Sequence, residues 1–406
     1  MSNVTQAQDN FRWTILALVS MSHIFGACAQ YGINTLAPFY QDDLGLSHAQ
    51  IGLFFTAFFL GMTSVSFIAG FLSDRLGVRK ATLQGHVVVG VFTVSASLAP
   101  SFTWAFVSFF IVGLGYSFFN PSSSKGVMEW FNRNERAAAM GIKQTGVPAG
   151  GVFTAVLAGP LMLLTGWRGA LAILGIINVF YGLLFAWLWR DPAKQRPAAA
   201  MASIAGAKAG RPMDFRNLVP ASIGTAVLLV GQLVLITYVP LYLKECLGVT
   251  AFWASQALAV LQVGAICGRI GWGVASDRLF GGHRKSTLII IGLLGALLAG
   301  ILGLMTRETP VFLILMTIFF SGLCLVGYQG VSFALIAELA GASRAGAATG
   351  IMLSINSAAA ALATPLFGYF IDRTGSYLYA WQTLAAAIAL AVLGFAVFLK
   401  EPRSLS

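Results

Sequence analysis

Charge is the scarcest commodity in this chain. Of 406 residues only 10% are charged and 57% are hydrophobic, whereas a soluble domain is roughly 25% charged. So few charges cannot clothe a globular surface in water. Apolar stretches of about 20 residues, the length that carries a helix across a bilayer, recur along the whole sequence with short polar breaks. Inside hydrocarbon each backbone N–H and C=O must be bonded within the protein. An all-α, polytopic membrane protein follows, with no room for a sizeable soluble domain.

Hydropathy predicts twelve helices near residues 13–38, 50–73, 81–99, 103–126, 137–162, 168–189, 217–243, 252–276, 286–305, 310–338, 345–371 and 377–399. About eleven mostly polar residues precede the first, without a basic n-region or cleavage site, so that helix is expected to remain as its own signal. With the N-terminus inside, 18 of the 25 Lys and Arg fall in cytoplasmic segments and four outside. Both termini are therefore expected in the cytoplasm and the chain in the cell inner membrane. The same asymmetry explains the net charge of +11 by contact with anionic lipid, without a nucleic-acid partner. Cys28, Cys246, Cys267 and Cys324 lie singly in or beside apolar runs, which suits packing and no disulfide framework.

Residues 191–214 are rich in Ala, Pro, Gly and basic residues without apolar periodicity, as expected of a linker. It separates an N-terminal bundle, 1–190, from a C-terminal bundle, 215–406, each of six helices. The two are related in sequence. Gly70–Asp74 matches Gly273–Asp277, and Leu44-Gly45 matches Leu247-Gly248, both at an offset of 203. Gly113-Leu114 matches Gly322-Leu323, Gly141-Ile142 matches Gly350-Ile351, and Thr165-Gly166 matches Thr374-Gly375, all at 209. Duplication of a six-helix unit is the simplest account, and such repeats commonly hold a solute between them near the midplane.

The second predicted helix ends in GFLSDRLGVRK, Gly70 to Lys80, and the eighth in GVASDRLFGGHRK, Gly273 to Lys285. Gly70 and Gly77 allow close helix approach and a tight turn. Asp74 can accept from orphan amides at a helix start, and Arg75, Arg79 and Lys80 can pair across the cytoplasmic face. The plainer alternative is that these cations only set topology. This loop and its echo resemble the signature of the major facilitator superfamily, and the resemblance covers essentially the whole chain. It implies two pseudo-symmetric six-helix bundles, a monomer that moves a small solute by alternating access, and a latch at Gly70, Asp74, Arg75, Gly77 and Arg79 with a second copy at Gly273, Asp277 and Arg278. Extra residues at Phe280–His283 interrupt that copy, so Asp277 and Arg278 are better candidates than Arg284 or Lys285.

Arg269 says most about the solute. It lies eight residues before Asp277, about 12 Å into the span, where a charge costs at least ~2.5 kcal/mol. No Asp or Glu falls in the central part of any predicted helix. The counterion is then a solute carboxylate, which matches a guanidinium fork, or else Arg269 pairs structurally with carbonyls or a helix end. The run GRIGWGVASDR, Gly268 to Arg278, resembles the eighth helix of oxalate/formate antiporters and monocarboxylate transporters, where an arginine engages the carboxylate.

Polar side chains on other predicted helices fit a binding role: Gln30, Tyr31 and Asn34; Tyr116 and Asn120, followed by Pro121; Tyr238; Gln262; Tyr328 and Gln329; and Asn356. Any one of them is more often interhelical glue than a ligand contact. His23 is a candidate proton carrier. Lys143, two turns inside the fifth helix, can snorkel to water and is a topology residue or, as the alternative, a second anion site. No HExxH, GxSxG, paired acids or metal-ligand cluster lies in the spans, so neither an enzyme nor a cofactor is expected. Competing with an organic-anion transporter are an exporter of hydrophobic or cationic drugs, which wants a buried acid, and a transporter-like sensor. A cysteine placed at Ala205 should react with an impermeant maleimide only after the membrane is opened. Labelling from outside intact cells would overturn the topology.

Overall fold

The computed structural model describes residues 2–131, 135–191, 215–340 and 345–399. Each regular element there is a helix: α1 Ser2–Thr35, α2 Ala37–Leu44, α3 His48–Ser97, α4 Phe102–Tyr116, α5 Phe119–Trp130, α6 Arg136–Leu188, α7 Phe215–Glu245, α8 Ala251–Arg278, α9 Arg284–Leu304, α10 Val311–Ser321, a π-turn Gly322–Val326, α11 Gln329–Ala340, α12 Ala345–Thr374 and α13 Tyr377–Phe398. The linker at 192–214 lies outside the described residues.

Among the described residues, ten helical segments are long and apolar enough to cross a membrane, counting α4 with α5 and α10 with α11. The twelve predicted spans appear as fewer elements because two pairs run together, 50–73 with 81–99 in α3 and 137–162 with 168–189 in α6. At 53 residues, α6 if straight would reach about 80 Å, more than twice a hydrocarbon core of about 30 Å. It breaks at Gly166 (φ 69°, ψ 174°), as α3 breaks at Gly77 (φ 77°, ψ 163°). Only glycine adopts that backbone cheaply, so each long element is two helices hinged at a glycine. Start signals are local as well: Ser47 and Gln50 form a capping box at α3, and Ser101 caps α4.

The break between α4 and α5 falls at Ser117 and Phe118. The ring of Pro121 clashes with the carbonyl four residues earlier, that of Ser117, and removes a donor. The corresponding segment of the second repeat breaks by other means, through the π-turn at Gly322–Val326. That turn ends just before Tyr328 and Gln329.

The repeat is carried into three dimensions by its glycines. A Cβ at Gly61 would sit 1.9 Å from the carbonyl oxygen of Phe110, and one at Gly264 would sit 2.1 Å from that of Phe319. Reciprocally, Gly113 faces the Phe58 oxygen at 2.0 Å, and Gly322 faces the Leu261 oxygen at 2.0 Å. These partners are related by the same offsets, 203 and 209, that relate the sequence matches. In each repeat two helices thus cross at backbone contact, where any side chain would hold them apart. The left-handed glycines repeat likewise, Gly45 with Gly248 and Gly166 with Gly375.

By compactness the described residues form two units. One comprises those within Met1–Pro192, Thr237–Glu245 and Val249–Ala259, the other those within Ala193–Ile236, Cys246–Gly248 and Val260–Ser406. The interior of the first is stitched by neutral polar groups. His86 bonds Ser22 Oγ at 2.8 Å and Asn178 Oδ1 at 3.1 Å, and Thr82 donates to Ser122 at 3.0 Å. Gly264→Ala is expected to cost about 1–3 kcal/mol or more through overpacking, read as a lower melting temperature in detergent. Gly271→Ala, where nothing lies within 4 Å of a Cβ, should leave it unchanged.

Candidate functional site

In the second unit, Arg269 lies on α8 nine residues before its end. The helix is fixed there by backbone proximity: a Cβ at Gly268 would meet the Leu323 carbonyl oxygen at 2.1 Å, and Trp272 Nε1 donates to that same oxygen at 2.9 Å. The π-turn frees such carbonyls from the regular α-helical ladder. It also delivers Gln329 as the first residue of α11. Arg269 Nη2 donates to Gln329 Oε1 at 2.7 Å, and Gln329 Nε2 donates to Gln232 Oε1 at 3.1 Å. A guanidinium thus heads a run of two neutral amides drawn from α8, α11 and α7.

The other candidates of this unit are mostly buried. Gln262, two turns before Arg269, is fully buried and neither of its amide atoms has a partner among the described residues, an arrangement that ordinarily carries a penalty. Tyr328 is buried and donates to the Thr225 carbonyl at 3.3 Å. Asn356 on α12 is nearly buried, its Oδ1 unbonded.

In the first unit, Gln30, Tyr31 and Asn34 are buried on α1, and both amide atoms of Asn34 lack partners. Tyr116 packs edge-on against Phe58 and Phe119. Tyr238 is fully buried and donates to the His48 carbonyl at 2.9 Å. It belongs to a stretch tied to α2 and α3 by further bonds: Lys244 reaches Asp42 at 2.6 Å and Glu245 reaches His48 at 2.8 Å.

Lys143 differs from expectation. It does not snorkel: it is 1% exposed, and its ammonium is bound by the start of α5. Nζ lies 2.7 Å from Ser124 Oγ, 2.9 Å from Ser123 Oγ, and 3.5 Å from both the carbonyl and the Oδ1 of Asn120. His23 Nε2 meets the same Ser123 hydroxyl at 2.9 Å. Sequence reasoning left Lys143 between a topology residue and a second anion site. The usable signal was the Asn120-Pro-Ser-Ser-Ser run, which offers hydroxyls and freed carbonyls but no acid.

Of the latch residues, Gly77 makes the expected turn. Arg75 lies over the Phe71 ring at 4.3 Å, Arg79 is exposed, and the side chain of Asp74 is outside the described residues. Nothing lies within 4 Å of a Cβ at Gly70 or Gly273. In the second copy Asp277 is engaged by Arg284 rather than by its neighbour Arg278. Arg284 reaches Asp277 at 2.5 Å, Glu338 at 3.1 Å and Ser276 Oγ at 2.9 Å. The extra residues responsible form a turn through Gly281 (φ 56°) and Gly282 (φ 84°), which brings Arg284 back beside the end of α8. The insertion therefore brings Arg284 to Asp277, and Lys285 caps α13 through the Ala396 and Leu399 carbonyls.

The sequence profile of the Major Facilitator Superfamily matches residues 19–285 and 221–406. The chain is 26% identical over 400 residues to the probable sulfoacetate transporter SauU of Cupriavidus necator, covering 94% of this chain and 92% of the relative. It is 25% identical over 403 residues to a hexuronate transporter of Bacillus subtilis, covering 94% of each. Among solved structures, a bacterial homolog of the human lysosomal transporter Spinster superposes with a TM-score of 0.78 at 18% identity, covering 95% of both chains. Since Asp277 and Glu338 are 61% and 46% exposed, solvent discounts their pairing with Arg284. Arg284→Ala should destabilise the protein by only about 1 kcal/mol. In melting experiments, Arg284→Ala on top of Asp277→Asn should cost less than the sum of the single changes; strict additivity would show the pair to be idle.

Proposed function

This chain belongs to the Major Facilitator Superfamily and is a multi-pass membrane transporter, and we propose that it carries a small organic anion, a mono- or dicarboxylate, whose carboxylate is taken by Arg269. The observation that carries this reading is the company Arg269 keeps. Its guanidinium donates to the neutral Oε1 of Gln329, and the central parts of the predicted spans contain no acid to neutralise it. A carboxylate arriving beside Arg269 would accept two parallel N–H bonds, a stronger and more directional match than one amide oxygen offers. Gln329 would then keep its bond to Gln232 or donate to the same anion.

The relatives named for sulfoacetate and for hexuronate support the solute class, because both of those compounds are carboxylates. Gln262, Tyr328 and Asn356 are the neutral groups nearest in sequence or element to serve beside Arg269. On the first unit the corresponding candidates are Gln30, Tyr31, Asn34, Tyr116, Asn120 and Tyr238, with His23 as a candidate for proton coupling. The latch loops act on the alternating-access equilibrium rather than on affinity, and the excess of basic residues in one set of loops supports an inner-membrane protein with both termini cytoplasmic.

Thermal shift of the purified protein against small carboxylates tests the reading. A carboxylate at 100 times its dissociation constant should stabilise the wild type by roughly 2.7 kcal/mol. Arg269→Ala should abolish that shift, and Arg269→Lys, which keeps the charge but loses the fork, should weaken it substantially. If alanine instead lowers the melting temperature of the empty protein and leaves the ligand shift intact, Arg269 is a helix tie and its assignment to the carboxylate fails; absence of a carboxylate shift in wild type would favour the drug exporter.

A further inference from the structure

The first unit contains a second cation whose surroundings are neutral. Lys143 lies about 10 Å into α6, counted from Arg136 at 1.5 Å per residue, and among the described residues no carboxylate is within ion-pair reach of it. Its close partners are the hydroxyls of Ser123 and Ser124. Hydroxyls satisfy an ammonium's hydrogen bonds but not its charge, and an uncompensated buried charge is among the costlier features a fold can hold. What this cluster lacks is an anion.

The geometry also leaves a way in. Asn120 is exposed, and its side chain covers Lys143 by the longest contacts of the group, 3.5 Å from Oδ1 to Nζ, with Gln144 Nε2 reaching the same Oδ1 at 3.4 Å. Contacts of that length are weak. An incoming oxygen anion that displaced Oδ1 would receive both donors at once. Behind them, Ser123 donates to the Asn120 carbonyl at 3.2 Å, so its oxygen accepts from Lys143 and from His23 Nε2. His23 Nδ1 is then a buried atom with no partner, a second polar group that the cluster leaves unsatisfied.

We infer that Lys143, with Gln144 and the Ser124 hydroxyl, forms an anion subsite within the first unit that takes one carboxylate or sulfonate group of a small solute. Asn120 is its displaceable cover. The inference rests on the organic-anion reading of the chain but not on Arg269. The subsite holds the anion through one ammonium and neutral donors, so it accepts a tetrahedral sulfonate as readily as a planar carboxylate.

Thermal shift with sulfoacetate and with malonate, on wild type, Lys143→Met, Lys143→Arg and Arg269→Ala, tests it. Lys143→Met removes the charge at similar volume, and the apparent affinity should fall at least about tenfold, as for loss of a charged hydrogen-bond donor. The empty variant should melt at or above the wild-type temperature, because an uncompensated buried charge has gone. Lys143→Arg should retain part of the shift. An unchanged shift in Lys143→Met, or a lowered melting temperature of the empty variant with the shift kept, overturns the inference. So does the absence of any shift in wild type. Should Arg269→Ala lose the shift while Lys143→Met keeps it, this subsite falls and the Arg269 reading stands; the reverse result removes the Arg269 reading alone.

Discussion

Helices brought to backbone contact are what the rest of this protein depends on. In hydrocarbon there is no hydrophobic gain in pressing two apolar helices together, so close packing must supply the attraction. Here it is supplied where Gly61 and Gly113 lie on the carbonyls of Phe110 and Phe58, and again where Gly264 and Gly322 lie on those of Phe319 and Leu261. The crossings fix the rotation of each helix about its axis. Rotation in turn decides which side chains face protein and which face lipid, and so the crossing beside Gly268 determines where Arg269 points.

The two cations illustrate how a membrane protein can keep charge in its interior. Neither Arg269 nor Lys143 is given a carboxylate by the central helices. Each is bonded to neutral groups that appear where a helix is interrupted, Gln329 after the π-turn and Ser123, Ser124 and Asn120 after the break ahead of Pro121. An interrupted helix exposes carbonyls and redirects the following side chains, which is why irregular backbone inside a membrane is tolerated where it serves a polar site.

Much of this was legible in the sequence, for identifiable reasons. Scarce charge and recurrent apolar runs of spanning length required a polytopic helical protein, and the paired offsets of 203 and 209 foretold the paired crossings. Gly77 was legible because a turn directly after a span needs φ above zero. The fate of Lys143 was not, since helical periodicity does not say which neighbour a face will meet, and the hydroxyls that bind it come from another helix. Arg284 carried less weight than Arg278 because the insertion obscures the register of the second loop; its two glycines form a turn that carries the arginine to Asp277. The joining of predicted spans in α3 and α6 reflects glycine hinges so tight that one helix follows the other without an intervening loop.

The glycine crossings are written twice in this chain and the two cations, buried Lys143 and half-buried Arg269, once each. Sliding by the same offsets, Arg269 falls on Ser66 and Lys143 on Met352, so neither charge has a counterpart in the other repeat. Whatever ancestor was duplicated passed on its scaffold symmetrically, while the chemistry diverged at positions that the crossings do not use. A single interior side chain can thus be exchanged without disturbing the glycine crossings that hold the helices together.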